Sequence, residues 1–400
     1  MRRCCHAPEQ LVPDARRLAG AALANALRDS RARTWALVGD LDDTQWVPAR
    51  RPGVNPIAWE LAHLAWFAEF WMLRGPHGRD AQGHATAQGP ARFMAPDAHF
   101  DSARLAHAER WTTPMPDRAT LATWMQRQLD ACIDALPTAA DDEALYFARL
   151  ALFHEDMHGE AFCWLRAALG YPAPPGVDAP RVAAARPLAV PAGGVDLGAG
   201  AGFAFDNEQA PQHVALAARE IDSAPVRAGE FARFVESGGY EQPAFWPAEA
   251  GAWRAQRGVP HPQRWRRSAD GGWQQRWFDR WLPLDPAAPV IHVNAFEAEA
   301  YCRWAGRRLP SAAEWEHSAR NAPAFEWGRS VWEWTADPFA PYPGFTPGPY
   351  REYSEPWFGT HRELRGGAFA THARLHDARY RNFFEPQRTD IFAGFRTAAR

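Results

Sequence analysis

The stretch Leu152-Phe153-His154-Glu155-Asp156-Met157-His158-Gly159-Glu160-Ala161 sets two histidines four residues apart inside an apolar run. On a helix, residues at that spacing share one face, so both imidazoles can grip a single ion. The run opens near Asp141-Asp142 and closes at Gly170-Tyr171-Pro172, as a helix should. A second helix opens at Asn55-Pro56, an N-cap followed by proline, and closes at Gly75-Pro76. It carries Glu60-Leu61-Ala62-His63, and His63 shares a face with Trp59, Phe67 and Phe70. That histidine is therefore expected to point into a core. Apolar positions at helical spacing from Asp14 to Val38 and from Asp117 to Leu136 add two more helices. The sum is a four-helix bundle with His63, His154 and His158 as candidate ligands of one metal ion in its core. Burying these imidazoles without partners would cost on the order of 1–3 kcal/mol each, which favours a bound ion over idle core histidines.

Three metal chemistries compete. His154-Glu155-Asp156-Met157-His158 matches the zinc-peptidase pattern H-E-x-x-H. The metzincin continuation is absent, since Ala161 and Trp164 stand where Gly and His are needed. Glu60-x-x-His63 and Glu155-x-x-His158 resemble half of a di-iron carboxylate site. That class needs a Glu from each remaining helix, yet none lies between Glu9 and Glu60 or between Asp117 and Leu136. The third is a mononuclear ion on three neutral imidazoles, with positions left open for substrate and oxygen and with Glu160 as an acceptor that orients a ligand.

The rest of the chain bounds the possibilities. A length of 400 residues favours two domains. Twenty Trp and 23 Phe point to an aromatic-rich fold or pocket. A formal net charge of -3 without a basic block argues against nucleic acid as a partner. No apolar run approaches membrane-spanning length, and no apolar segment follows Met1-Arg2-Arg3 to make a signal peptide. Cys4, Cys5, Cys132, Cys163 and Cys302 are odd in number and scattered, which suggests a reducing cytoplasm. Cys4-Cys5 sits in a terminal segment where function is not expected. Residues 1–170 read as the bundle and 171–187 as a stiff Pro- and Ala-rich linker. Residues 188–400 read as a mixed, loop-rich domain with clear helices only at Asn294–Trp304 and Ser311–Arg320.

Several motifs in this second half carry a resemblance. The segment from Pro289 through Asn294, Cys302, Arg307 and Ser311 to Glu316 is similar to the formylglycine-generating-enzyme fold, a C-type-lectin-like domain. So are Val331-Trp332-Glu333-Trp334-Thr335, Arg365-Gly366-Gly367 and Gly394-Phe395-Arg396. Phe203-Ala204-Phe205-Asp206-Asn207-Glu208 with Pro211 and His213 resembles the version fused to a DinB-like bundle. Together with Pro56 to His63 and His-x3-His-x-Glu, the chain resembles the ergothioneine-synthase-type sulfoxide synthases over nearly its whole length. An α+β protein follows from the resemblance: a DinB-like bundle and a formylglycine-generating-enzyme-like domain. The copper chemistry of the formylglycine-generating oxidases is not implied, because no Cys follows Cys302.

Within that superfamily the chain is most similar to the selenoneine-synthase branch. Asp101 to His107 with Arg110-Trp111, Ala144-Leu145-Tyr146-Phe147 and the Leu152–Ala161 stretch carry that likeness. Asp156 and Met157 replace a Gln pair typical of the ergothioneine branch, and Phe383-Phe384 replace Trp-Asp after Arg381-Asn382. The resemblance implies Fe(II) on His63, His154 and His158. It implies O2-dependent C–Se bond formation between hercynine and a selenosugar, giving a selenoxide. It makes Tyr350 the proton donor and has Tyr353 contact hercynine. Asn382 would hold the substrate carboxylate and Phe383 the trimethylammonium. Apolar Phe384 would disfavour γ-glutamylcysteine, and Arg388 would hold an anionic or hydroxylated group of the donor. Arg365, Arg396 and Trp332 read as fold residues, and the aromatics from Trp253 to Trp281 as a sugar pocket or plain packing. A thiol-using ergothioneine-type synthase and a lectin-like sugar-binding protein are the alternatives.

Overall fold

A computed structural model describes residues 14–51, 53–138, 141–198 and 200–400. Cys4 and Cys5 lie outside the described residues. The first half contains four long helices: α1 (Gly20–Val38), α2 (Ile57–Leu73), α3 (Arg118–Asp134) and α4 (Tyr146–Leu169). The helix ends follow local chemistry. Asp117 caps α3 by accepting from the Thr120 amide at 2.9 Å, and Gly170 closes α4 with φ of 73°.

Two starts differ from expectation. Asn55 does not cap α2; Pro56 takes that place, and the Asn55 amide donates instead to Glu60 at 2.7 Å. Likewise α4 begins at Tyr146 and not near Asp141, because Asp142 is drawn into tertiary bonds with Arg149 and the Gly202 amide. Near the chain start, Ala15–Arg17 forms a separate 3₁₀ turn before α1.

Every residue of α2 from Ile57 to Trp71 is buried. A helix that is apolar on all sides belongs at the centre of its bundle. It packs on both α3 and α4, and α1 packs against α4. A small hairpin (His77–Arg79 with Ala85–Ala87) and a helical turn at Asp97–Phe100 fill the connection from α2 to α3.

The second half is built on a four-stranded sheet. Trp332–Pro338 lies between antiparallel Arg362–Gly366 and parallel Ala393–Gly394, and Asn382–Phe384 adds to the outer edge of Arg362–Gly366. The two expected helices form, each opened by a capping box: Asn294 with Glu297, and Ser311 with Glu314. Two further helices, Ala228–Glu236 and Ala248–Arg257, were not expected. Buried guanidiniums brace the sheet. Arg365 binds Glu316 and Glu363, Arg381 also binds Glu363, and Arg396 pairs with Glu333. Losing one partner of such a pair strands a buried charge, at about 3–5 kcal/mol.

Polar contacts join the halves. Arg16 bridges to Glu208 and Asp377, Arg374 clamps Asp156, and the Arg33 guanidinium donates to the Ala370 carbonyl. Buried apolar residues of both halves form one continuous cluster. The polar face of α4 is thereby pressed against the second domain, and a cavity is left where the histidines emerge. Among the described residues no helix is long and apolar enough to cross a membrane.

Candidate active site

His63 from α2 and His154 and His158 from α4 converge, each offering a ring nitrogen within 4.8 Å of the others. The ring centroids are 5.1 Å (His63–His154), 5.2 Å (His63–His158) and 4.6 Å (His154–His158) apart. Aromatic packing sets the ring planes. Trp59 stacks on His63 at 5.1 Å, and Phe67 stacks on His154 at 3.6 Å with 6° between planes.

Hydrogen bonds at the far nitrogens fix how two of these rings present themselves. His63 Nδ1 donates to the Phe100 carbonyl at 2.7 Å. His158 Nδ1 bonds the Glu60 carboxylate, which Asn55 also holds. Both contacts leave Nε2 as the lone-pair donor, the arrangement found around metal-ligating histidines. Burial drives His63 down to about 3, with the neighbouring His158 adding to the effect, and drives His154 well below its ordinary value. Both imidazoles are therefore neutral and able to ligate at physiological pH. Burial alone would raise Glu60, but the charge and hydrogen bond of His158, with help from Asn55, hold it at about 2. Three ring nitrogens in a closed triangle, with a carboxylate behind one of them, fit a single divalent ion with open coordination positions.

That face opens into a cavity of about 300 Å³. Tyr350, Tyr353, Asn382, Phe383 and Phe384 from the second half line it with His154, His158, Met157 and Glu160 from α4. The loop bearing both tyrosines is held at each end: Arg79 bonds Glu352 and the Pro349 carbonyl, and Ser354 bonds Asp206. Tyr350 sits edge-on to Phe67 at 4.9 Å and 6.2 Å from the His154 ring. Burial pushes its hydroxyl up, so it is a neutral donor at pH 7. Tyr353 and Tyr380 share a hydrogen bond of 2.9 Å, and the Tyr380 hydroxyl donates to Met157 Sδ at 3.1 Å. A thioether only accepts, so the chain runs from Tyr353 through Tyr380 to Met157. Asn382 Oδ1 accepts from the Phe383 amide at 2.9 Å, which leaves its amide nitrogen to donate into the cavity. Phe383 stacks on Phe339 at 4.0 Å and meets Tyr353 edge-on at 5.4 Å.

Two sequence readings change. Glu160 does not orient a histidine: its carboxylate accepts from Trp332 Nε1 at 2.7 Å and from Thr371 Oγ1 at 2.5 Å. Two residues past His158, it lies about 200° further round the helix and faces the second domain. Glu60 does the orienting instead. The signal in the sequence is the Glu60-x-x-His63 spacing, which sets the carboxylate on the same face of α2 as a ligand histidine, from where it reaches His158 on α4. Arg388 is not brought into the histidine cavity. Its guanidinium lies over the outer sides of Trp164 and Phe384, at 5.1 and 4.9 Å, and pairs with Asp390. Trp332, expected as a fold residue, both lines the cavity and bonds Glu160. Tyr380, another lining residue, was not anticipated, because its link to Tyr353 exists only once the loops are folded.

Comparison with known proteins agrees with this architecture. The DinB superfamily model matches residues 26–161, and the sulfatase-modifying factor enzyme 1-like domain matches residues 177–331 and 328–400. Hercynine oxygenase of Mycolicibacterium thermoresistibile is 33% identical, with 94% of each chain covered. Hercynine oxygenase of Mycolicibacterium smegmatis is 32% identical over 94% of this chain and 98% of that one. The formylglycine-generating enzyme of Bos taurus is 31% identical over a smaller region, 32% of this chain and 37% of that protein. A bundle with a three-histidine centre, a second domain of this kind and relatives matched end to end place the chain in the hercynine oxygenase family.

Proposed function

We propose that this protein joins hercynine to a selenosugar, forming a C–Se bond at C2 of the imidazole in a reaction that needs Fe(II) and O2. The balance is complete without another reductant. The imidazole C–H and the selenol each lose hydrogen, selenium takes one oxygen atom to give a selenoxide, and the other leaves as water. A ferrous ion held by His63, His154 and His158 would supply the redox chemistry and the open positions for the donor and for O2.

The chain's own residues bind, orient and manage protons. Asn382 donates its amide N–H to the hercynine carboxylate. The trimethylammonium lies against Phe383, an attraction of roughly 0.5–2 kcal/mol. Tyr353 has already directed its proton to Tyr380, so its oxygen accepts from the substrate imidazole N–H. Tyr350, neutral and beside His154, delivers a proton on the side of the ligand histidines.

One observation supports a sugar over a peptide thiol as donor. No Lys or Arg is among the described residues lining the histidine cavity, which aromatic rings dominate. A donor with two carboxylates, such as γ-glutamylcysteine, would have to be desolvated there without a cation, whereas a sugar ring suits aromatic walls. The test is competition: iron-loaded protein, hercynine and O2, with equal selenosugar and γ-glutamylcysteine, and products identified by mass. The selenium product is expected to dominate; preference for the peptide thiol would show an ergothioneine-type synthase instead.

A further inference from the structure

A second cavity, of about 480 Å³, lies beyond the wall formed by Trp164 and Phe384. It is lined by Ala167 and Ala168 at the end of α4, by Gly53 and Val54 before α2, and by Arg264, Arg276 and Trp281 of the second half. Nothing in the chemistry proposed above uses it. Its charge is unbalanced. Arg388 and Asp390, at its inner wall, satisfy each other through Nε–Oδ1 at 2.9 Å. Arg264 and Arg276 form no ion pair with any described carboxylate. Arg264 donates to the Ala167 carbonyl at 3.0 Å, and Arg276 donates Nε to the Phe278 carbonyl at 3.0 Å. Each guanidinium retains further N–H donors. Burial lowers Arg264 to about 10; Asp390 opposes the shift, and the neighbouring Arg276 adds to it by a smaller amount. Two cations are thus held together, partly desolvated; of the two carboxylates on the cavity wall, Asp390 is engaged by Arg388, and Glu385 is exposed and pairs with neither of them. An oxyanion would relieve that repulsion and take up their unused N–H groups.

The remaining walls suggest what carries the anion. Trp281 offers an indole with Arg266 over it at 4.3 Å, and Gln263 and Thr389, bonded to each other, supply hydroxyl and amide groups. Such a mixture suits a hydroxylated ring, and the volume falls in the range of small-molecule sites. We infer that this cavity is a binding site for a small phosphate-bearing carbohydrate, its phosphate on Arg264 and Arg276 and its ring against Trp281. The site is distinct from the histidine cavity, and the inference does not depend on which donor is used there.

Calorimetric titration of the iron-loaded protein with glucose 6-phosphate, inorganic phosphate and glucose tests this. Glucose 6-phosphate is expected to bind most tightly, phosphate more weakly, and glucose not detectably. Arg276→Gln is expected to weaken glucose 6-phosphate binding at least tenfold, with iron content and melting temperature unchanged, and Arg276→Lys to weaken it less. Should Arg276→Gln fail to fold, Arg264→Gln is read the same way. Absence of binding at millimolar glucose 6-phosphate would overturn the inference. So would glucose binding as tightly as its phosphate, or undiminished binding by a folded Arg276→Gln protein.

Discussion

The Glu60 carboxylate on α2 accepts a hydrogen bond from Nδ1 of His158 on α4, so the two ligand-bearing helices are tied together behind the histidine triangle. The bond fixes the His158 ring and leaves its Nε2 for an ion. Glu60→Ala should lower Fe(II) affinity by roughly 10–100-fold, the usual effect of removing a partner that orients a metal ligand. Glu60→Gln, which keeps an acceptor, should lose less. Anaerobic Fe(II) titration of the two variants checks this; equal affinity in Glu60→Ala and the parent would show that the contact does not position the ligand.

Tyr350 and Tyr353 should separate kinetically. Tyr350→Phe removes a proton donor, and turnover should fall by about 10²–10⁴ with little change in the KM for hercynine. Tyr353→Phe and Tyr380→Phe should act mainly on KM, since Tyr380 serves to aim the Tyr353 oxygen. Steady-state oxygen uptake distinguishes them, and a Tyr350→Phe protein with normal kcat would remove that residue from the proton path.

Glu160 joins α4 to the second domain through Trp332 and Thr371. Glu160→Ala leaves a buried indole N–H and a hydroxyl unpaired, a loss of about 1–3 kcal/mol for each. Chemical denaturation should show the destabilisation, while iron stoichiometry at low temperature stays at that of the parent. Loss of iron with unchanged stability would return Glu160 to the metal site.

Glu297 provides a pH signature away from that site. Burial raises its carboxyl to about 7, opposed by hydrogen bonds from Tyr240 and the Asn294 amide. The folded state then holds a proton that the unfolded state releases near pH 4.5, so this group's contribution declines as pH rises from about 4.5 to about 7 and is level above. Glu297→Gln should flatten the stability profile over that window, measured by melting temperature. A parallel profile in the variant would contradict the assignment.

The bundle was legible because its signals are local. Asp117, Gly170 and the apolar faces of α2 and α4 declare helices from a few neighbouring residues, and His63, His154 and His158 stand out by spacing. Helices Ala228–Glu236 and Ala248–Arg257 were not legible: each spans about three turns or fewer, contains a glycine (Gly229, Gly251), and is held by packing more than by propensity. The starts of α2 and α4 differ because Asn55 and Asp142 bond other partners than the cap positions that local pattern assigns them: Glu60 for the first, Arg149 and the distant Gly202 amide for the second. Long-range placement was the least accessible. Arg388 turned away from the histidine cavity because Asp390 and two aromatic faces hold it. The partner of His158 proved to be Glu60, 98 residues away, a pairing fixed only when two helices pack in register.

Oxygen consumption by the iron-loaded protein tests the central claim most directly: three imidazoles holding one redox-active ion beneath a substrate cavity. Uptake should be slow with hercynine alone and rise sharply when the selenosugar is added, and His63→Ala should abolish both iron retention and uptake. Uptake that does not respond to the two substrates together, or that survives in a His63→Ala protein lacking iron, would contradict it.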